Sequence, residues 1–288
     1  MNTLSALPSD SGDQSAGQPS NLTLNVEFAQ LSDCGRQRGH NEDYLGHVIP
    51  ASAARARSHG WLFVLADGVG GSERGEVASR AAVEHMTAGF GEAPPSEALT
   101  ALLIRLAQEA NVEIYQTGRA YSPGGTSMAT TLVACALRYD RAVVAHAGDS
   151  RCYLIRQGHA RLLTRDHTVA QDQARLGLLS AKEAAESPTS YVLSRSLGTD
   201  LFVNIETSDI QVYPGDTLLL CCDGLYHSVQ SSEMAAVAGH GGDLNVAVQR
   251  LVDLANDRDG SDNISVQLIR VRSVERVGMY RGRPYKLR

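Results

Sequence analysis

Four aspartates lie at the ends of apolar segments, where a carboxylate is costly to bury. Asp67 follows WLFVLA, Asp223 follows LLLCC, Asp262 precedes ISVQLIRV, and Asp43 comes after the first alternating segment. If these segments are strands whose ends meet at one edge of a fold, their carboxylates need a counter-charge. Divalent cations supply one, and hard oxygen ligands favour Mg²⁺ or Mn²⁺ over zinc. The sequence therefore predicts a metal centre built from these four side chains.

The glycines after Asp67 fit the same interpretation. Gly68 can expose its carbonyl oxygen as a further ligand, and Gly70 and Gly71 would let a substrate approach the backbone. The alternative for any single aspartate is a turn residue, because Asp before Gly is common in turns. Asp223-Gly224 alone would be a plain turn, but four such aspartates beside strands favour the metal centre.

Predicted strands and helices come in blocks and not in strict βα alternation. Alternating or apolar segments predict strands, and apolar side chains that recur every three or four residues predict helices. The predicted strands are 24–30, 61–66, 129–137, 141–147, 151–157, 212–222 and 264–271, and the predicted helices lie near 78–90, 96–117 and 243–257. This order predicts an α+β fold, a central antiparallel β-sandwich flanked by helices, with the metal centre in a cleft at one edge.

Composition divides the chain into one domain and two tails. Residues 1–21 are rich in Ser, Gly, Asp, Gln and Pro, which predicts a disordered N-terminal tail. Residues 22–272 form the predicted domain, in which the polar segment at about 168–192 is expected to be an inserted flap. Residues 273–288 are basic and are expected to lie outside the core.

Charge and cysteine usage narrow the class of protein. The formal net charge of −6 gives no support to nucleic acid or anionic lipid as a partner. No apolar run is long enough to span a bilayer, and the first residues lack the basic and apolar regions of a signal peptide. Five cysteines without a CxxC pattern indicate reduced core thiols. The expected location is the cytoplasm.

Eight motifs together resemble one known family. They are SDCGRQRGHNED (32–43), VLADGVGG (64–71), GGTSMATT (124–131), AHAGDSRCYL (145–154), LTRDHT (163–168), LSRSLG (193–198), LLLCCDGL (218–225) and GSDNISV (260–266). In this order they are similar to the metal-dependent PP2C-type (PPM) protein serine/threonine phosphatases, and most of all to the bacterial branch. The resemblance covers about 24–272 and implies the family's helix-flanked β-sandwich with a two-metal centre in its cleft.

The resemblance implies roles for individual residues. Asp43, Asp67, Asp223 and Asp262 would ligate two ions of Mn²⁺ or Mg²⁺ per subunit, with the carbonyl of Gly68 as a further ligand. A water shared by the ions would attack phosphorus directly, so no covalent intermediate is expected. Cys221 and Cys222 are accordingly expected to be core residues and not nucleophiles.

Other site residues carry less direct roles. Arg38 would bind the substrate phosphate, because a guanidinium can donate two parallel hydrogen bonds to phosphate oxygens. Arg38, Asp43 and Asp67 are the expected catalytic residues. Glu42 would hold metal-bound water. Asn263 would orient the site or cap a turn. Asp149 would ligate a third, weaker ion, or else be a turn residue beside Ser150 and Arg151.

The chain departs from the family pattern at several positions. Val69 stands where many eukaryotic members have a histidine proposed as general acid, so the acid is unassigned; nearby His40 is expected at the surface or in an outer contact to the site. Tyr226-His227 replaces a Thr/Ser/Trp-Asp pair. In the flap, Ser187-Pro188 stands where His-Pro is common, and Tyr191 where Asn is common. These changes are expected to affect substrate selection more than metal binding.

The leading hypothesis is a phosphatase that acts on phosphoserine and phosphothreonine in proteins and opposes a bacterial Ser/Thr kinase. It is expected to be a monomer and to bind neither nucleic acid nor membrane. A non-catalytic phosphoprotein-binding module is a second hypothesis, although such modules usually lose an aspartate and none is lost here. An enzyme specialised for a small phosphorylated regulator of the anti-sigma-antagonist type is the third.

Overall fold

The computed structural model describes residues 24–69, 74–95, 97–121, 128–239, 241–280 and 283–286. Its strands are β1 (Asn25–Asp33), β2 (Asp43–Val48), β3 (Trp61–Asp67), β4 (Leu132–Arg138), β5 (Arg141–Ala147), β6 (Arg151–Arg156), β7 (His159–Leu162), β8 (Glu206–Gln211), β9 (Thr217–Cys221), β10 (Ile264–Ser273), β11 (Val277–Tyr280) and β12 (Arg283–Lys286). Its helices are α1 (Ala53–Ser58), α2 (Gly75–Glu92), α3 (Leu99–Tyr121), α4 (Val169–Arg175), α5 (Ala181–Glu186), α6 (Asp223–Tyr226), α7 (Ser231–Gly239) and α8 (Leu244–Arg258).

Most of the described strands form two five-stranded sheets. The first sheet has the order β1-β10-β9-β6-β7, the second has the order β2-β3-β4-β5-β8, and β11 pairs with β12 alone. Every pairing within them is antiparallel. The predicted α+β class and antiparallel sandwich are therefore confirmed.

The core has three apolar layers, which explains why β3 is apolar along its whole length. Phe63 and Leu65 point into the layer between the two sheets. Leu62 and Val64, on the opposite face of β3, pack with α2 and α3. A third layer lies between the first sheet and helices α7 and α8. Because both faces of β3 are covered, the strand shows no alternation of apolar and polar residues.

Antiparallel pairing carries the chemically important strand ends to one edge of the sandwich. In the second sheet, Asp43 at the start of β2 faces Asp67 at the end of β3. In the first sheet, Cys221 at the end of β9 faces Arg151 at the start of β6 and Val266 near the start of β10. The loops that follow or precede these ends therefore gather at this shared edge.

The described elements overlap every predicted strand and helix, with boundaries displaced by a few residues. Strands β2, β7, β8, β11 and β12 and helices α1, α6 and α7 were not predicted. β2 (DYLGHV) contains a glycine, and β8 (ETSDIQ) is a polar strand at a sheet edge, so neither shows a clear apolar pattern. The segment predicted as a flap carries the short helices α4 and α5.

Both predicted tails remain predictions. Residues 1–21 lie outside the described residues. At the other end, β10 continues to Ser273, and Arg57 donates a hydrogen bond from Nε to Oε2 of buried Glu275 at 2.7 Å. The chain is thus tied to the domain a few residues past the predicted boundary at 272.

Replacing Phe90 with Ala should test the helix–sheet layer. Phe90 is fully buried on α2, so truncation should lower the free energy of unfolding by about 3–5 kcal/mol. Val77→Ala, at an exposed position on the same helix, is the matched control and should change it by less than about 0.5 kcal/mol. Urea titration measures both, and equal effects of the two variants would contradict this packing.

Candidate metal centre

Asp43 and Asp67 form the centre of the carboxylate group. They are cross-strand partners in the antiparallel ladder of β2 and β3. Asp43 is only 7% exposed, and neither of its carboxylate oxygens accepts a hydrogen bond from the described residues. One ligand atom each from Asp43, Asp67 and Cys222 lie within 4.8 Å of one another. A buried carboxylate without a hydrogen-bond donor is a strong indication that a cation belongs beside it.

Asp223 and Asp262 join this pair from the first sheet. Asp223 is the first residue of α6 and is separated from β9 by Cys222, and Asp262 lies two residues before β10. Each is close enough to raise the pKa of Asp67 by charge repulsion, and Asp262 also raises the pKa of Asp223. The structure therefore brings together all four aspartates that the sequence singles out.

Asp149 approaches the same group from the loop between β5 and β6. It is nine-tenths buried, and its charge contributes to the raised pKa of Asp67. Gly148 before it has φ of +110°, and a Cβ there would lie 2.7 Å from Cβ of Thr131, so the close approach requires glycine. Asp149 is placed where a further ligand could act, but its role stays a prediction.

Burial and mutual repulsion strongly disfavour the ionised forms of these carboxyls. Burial is the main cause that raises the pKa of Asp43 to about 7 and that of Asp149 to about 7. The pKa values of Asp67 and Asp223 are also raised, first by burial and then by neighbouring carboxylates. Divalent cations would remove this penalty, and all-carboxylate oxygen donors fit Mg²⁺ or Mn²⁺. The residues present thus fit the predicted ions.

The backbone around Asp67 is held by threonines that the sequence analysis missed. The hydroxyl of Thr131 accepts a hydrogen bond from the N–H of Asp67 at 3.0 Å, and the N–H of Thr131 donates to the carbonyl of Asp67 at 2.8 Å. The hydroxyl of Thr130 donates to the same carbonyl at 2.8 Å. Their motif, GGTSMATT, was visible in the sequence, but nothing in it assigned them to Asp67.

Gly68 is constrained by a close backbone approach. A Cβ at this position would lie 2.5 Å from the carbonyl carbon of Gly75, at the start of α2. Its N–H donates to the carbonyl of Glu42 at 3.1 Å, which ties the end of β3 to the start of β2. The proposed use of its carbonyl as a ligand is a separate matter and stays a prediction. Gly70 and Gly71 lie outside the described residues.

Arg38 lies at the rim of the carboxylate group. Its Nη2 donates to Oδ2 of Asp262 at 2.7 Å, and the pair is partly exposed. The hydrogen bond to Asp262 is the largest cause that raises the pKa of Arg38, with smaller contributions from Glu42 and Asp223. Because a guanidinium has five N–H donors, this ion pair leaves others for a phosphate. The position fits the predicted phosphate contact.

Glu42 and Asn263 organise the loops beside the site. Oε1 of Glu42 lies 2.9 Å from Nε2 of exposed His40, as expected for an outer position of that histidine. Asn263 is buried; its Oδ1 accepts from the N–H of Glu42 at 2.8 Å, and its Nδ2 donates to the carbonyls of Cys34 and His40. Asn263 thus bridges three backbone groups of the loop that carries Arg38, which suits an orienting role.

The two adjacent cysteines are core residues in the structure, as the sequence predicts. Both are fully buried, and burial raises the pKa of each thiol. The thiol of Cys222 donates to the carbonyl of Asn263 at 3.2 Å and accepts from the N–H of Ser265 at 3.1 Å. The proximity of Cys222 to Asp43 and Asp67 was not predicted, because sequence gives no distance between strands.

A buried pair of histidines lies behind Asp149. The rings of His146 and His167 stack at 4.7 Å. The N–H of Gly148 donates to Nδ1 of His167 at 3.2 Å, and Nε2 lies 3.2 Å from Oε2 of Glu206. An accepting Nδ1 means a neutral ring, and burial lowers the pKa of His167 to about 4. This pair supports the loop of Asp149.

Comparisons with known proteins agree on one family. A sequence model of the family described as Protein phosphatase 2C matches residues 36–265. The serine/threonine phosphatase stp of Listeria innocua is 34% identical over 263 residues, which are 90% of this chain and 99% of that protein. The structure of the S. agalactiae serine/threonine phosphatase is similar with a TM-score of 0.77 at 31% identity, over 86% of this chain and 100% of that one.

A further solved structure bears on the metal. The catalytic domain of the serine/threonine protein phosphatase PstP, in complex with two manganese ions, has a TM-score of 0.72 to this chain at 30% identity. The match covers 87% of this chain and 100% of that one. Among the described residues, no helix has the length and apolar character needed to cross a bilayer.

Replacing Asp43 with Asn should separate two effects on the stability of the fold: destabilisation by a buried carboxylate and stabilisation by a bound metal ion. The folded carboxyl keeps its proton up to about pH 7 and an unfolded one only to about pH 4, so metal-free protein should lose stability as the pH rises through this interval. In EDTA at about pH 8, the variant should melt no lower than wild type, because a buried charge is removed. The stabilisation that Mn²⁺ gives wild type should fall by at least about half.

Thermal melts with EDTA and with Mn²⁺ measure both effects. Asp253→Asn, an exposed substitution on α8, is the matched control and should keep the wild-type response to Mn²⁺. A metal-free Asp43→Asn protein that is clearly less stable than wild type, yet gains as much from Mn²⁺, would contradict a metal site at Asp43.

His167→Gln should reduce the loss of stability in mild acid. Unfolded His167 takes up a proton below about pH 6.5 and the folded form only near pH 4, so the wild-type fold loses stability as the pH falls through this window. Between about pH 7 and 5, the variant should lose roughly 2 kcal/mol less unfolding free energy. Urea titrations at both pH values measure this, with exposed His159→Gln as control; identical slopes for His167→Gln and wild type would contradict the buried neutral histidine.

Proposed function

The chain belongs to the protein phosphatase 2C family, and from this premise we propose that it hydrolyses phosphoserine and phosphothreonine in proteins with the help of divalent cations held at the shared sheet edge. The observation that carries the proposal is the buried carboxylate of Asp43, without a hydrogen-bond donor among the described residues, beside Asp67, Asp223 and Asp262. Without a cation, this many like charges close together would only destabilise the fold.

The ligands of the proposed centre are Asp43, Asp67, Asp223 and Asp262, with the carbonyl of Gly68. Two divalent ions bound there would lower the pKa of water and stabilise charge on the transferred phosphoryl group. The protein's own part is geometric: the β2–β3 register sets the spacing of Asp43 and Asp67, and α6 and the loop before β10 present the other two.

Arg38 and its supporting residues would position the substrate. The guanidinium of Arg38 would bind two phosphate oxygens and draw the phosphorus toward the ions. Its loop is held by Asn263, whose side chain bridges the backbone of Cys34, His40 and Glu42. Glu42 would accept hydrogen bonds from water at the centre.

The identity and number of ions form a separate part of the proposal. We propose two ions of Mn²⁺ or Mg²⁺ per subunit, supported by the oxygen donors of this site and by the two manganese ions of the PstP structure. Asp149 would hold a third, weaker ion. Its burial and its charge coupling to Asp67 and Asp223 support that role.

The proposed substrates are phosphorylated proteins, including a Ser/Thr kinase that the enzyme opposes. The names of its relatives as serine/threonine phosphatases support the substrate class. We propose that the enzyme acts as a monomer in the cytoplasm, where its five unpaired cysteines would stay reduced.

Hydrolysis of p-nitrophenyl phosphate and of a phosphothreonine peptide should require Mn²⁺ or Mg²⁺ and stop in EDTA. Asp223→Asn should lower kcat/KM on both substrates by about 100-fold or more, because metal stabilisation of the transition state is worth several kcal/mol. Asp253→Asn, on the exposed face of α8, should keep wild-type rates. Wild type that binds Mn²⁺ but releases no phosphate from either substrate would exclude the phosphatase and favour a phosphoprotein-binding module.

A further inference from the structure

Two departures from the family pattern, far apart in sequence, contact each other beside the metal centre. Tyr191 lies at the end of the flap, and His227 follows α6. Their ring centroids are 5.1 Å apart with an interplanar angle of 67°, an edge-on aromatic contact. The two residues are 36 positions apart in the sequence, and the fold brings their rings into contact.

Backbone hydrogen bonds constrain the segment that carries Tyr191. Tyr191 lies in a turn closed by a hydrogen bond from the N–H of Val192 to the carbonyl of Thr189 at 3.2 Å. The next residues pair with the start of α4, since the N–H of Val169 donates to the carbonyl of Val192 at 2.8 Å. The side chain nevertheless remains 68% exposed. An aromatic ring held in place but uncovered is a favourable contact for another apolar group.

His227 connects this ring to the metal ligands and to the first sheet. Its Nδ1 lies 3.9 Å from Oδ2 of Asp223, and its ring contacts that of Tyr226 at 4.6 Å. The guanidinium of Arg151 lies 3.5 Å above the Tyr226 ring, and Arg151 makes a two-bond ion pair with Asp166. The aromatic pair is therefore connected to the first sheet through Tyr226 and the ion pair of Arg151 with Asp166.

A series of neighbouring side chains, here called the row, leads from Arg38 to Tyr191. Arg38 pairs with Asp262 at 2.7 Å, Asp262 is near enough to raise the pKa of Asp223 by its charge, and Asp223 lies 3.9 Å from His227, which contacts Tyr191. All five side chains are at least partly exposed. A substrate whose phosphate reaches Arg38 and the carboxylates would extend along this row, so a residue beside the phosphoresidue would meet the aromatic pair.

We propose that Tyr191 and His227 form a specificity site that binds an aromatic or long aliphatic side chain next to the phosphoresidue of the substrate. This inference rests on the proposed phosphatase function and adds the class of peptide that the site selects. Tyr191 supplies the apolar ring face, and His227 packs against that ring at the end of α6, the helix that begins with Asp223.

The test compares phosphothreonine peptides that differ only in the two residues flanking phosphothreonine. Phe, Leu, Lys or Ala is placed at each flank, and kcat/KM is measured with Mn²⁺. Wild type should favour the best Phe or Leu peptide over the Ala peptide by about 3- to 10-fold, the range of one aromatic contact. In Tyr191→Ala this ratio should fall toward one, whereas Tyr191→Phe should retain it.

Leu178→Ala provides the matched control, because Leu178 is an equally exposed apolar residue of the flap segment. It should keep the wild-type ratio. Hydrolysis of every peptide at equal rates, an unchanged ratio in Tyr191→Ala, or a preference for Lys that disappears in Tyr191→Ala would overturn the specificity site while leaving the phosphatase function intact. Failure of wild type to hydrolyse any peptide or p-nitrophenyl phosphate would overturn the proposed function and this inference with it.

Discussion

Repulsion among buried carboxylates is the constraint on which the rest of this structure depends. Asp43 and Asp67 face each other across a strand pair, and Asp149, Asp223 and Asp262 lie close enough to perturb them. Burial, and to a smaller extent the charge of Asp223, raises the pKa of Asp43 to about 7, so without cations protons would neutralise part of this group. With cations bound, the same carboxylates would act as the proposed ligands. The carboxylate group is therefore costly to the fold, and bound cations would remove that cost.

An ionised carboxylate cannot donate a hydrogen bond, so the backbone and neighbouring polar groups set the positions of the proposed ligands. Thr130 and Thr131 hold the peptide of Asp67. Gly68 packs so closely against Gly75 that a side chain would not fit. The side-chain amide of Asn263 donates hydrogen bonds to the loop of Arg38 and so connects that loop to β10, the strand after Asp262. The result is a set of charges held by groups that do not compete for the ions.

The sequence indicated the candidate ligands better than the residues that surround them. Asp67 and Asp223 stand out because each interrupts an apolar run, and a polar residue there requires a local explanation. Thr131, Cys222 and His167 carry no such signal, since buried threonine, cysteine and histidine are compatible with an ordinary core. Strand β8 was missed because a polar edge strand resembles a loop in sequence. The contact of Tyr191 with His227 depends on the path of the flap, which no local pattern encodes.

The two edges of the sandwich differ in how well their loops can tolerate insertions. At the edge opposite the carboxylates, Gln157 and Gly158 form the exposed turn between β6 and β7. A Cβ on Gly158 would meet no atom within 4 Å, although the φ angles of +51° and +77° restrict which residues the tight turn itself accepts. Insertions there would lengthen a hairpin without moving a ligand. An affinity tag, a fluorophore or an entire recruiting domain grafted at this turn would leave the chemistry untouched. The fold thus separates the end that must stay constant from an end where new targeting could evolve.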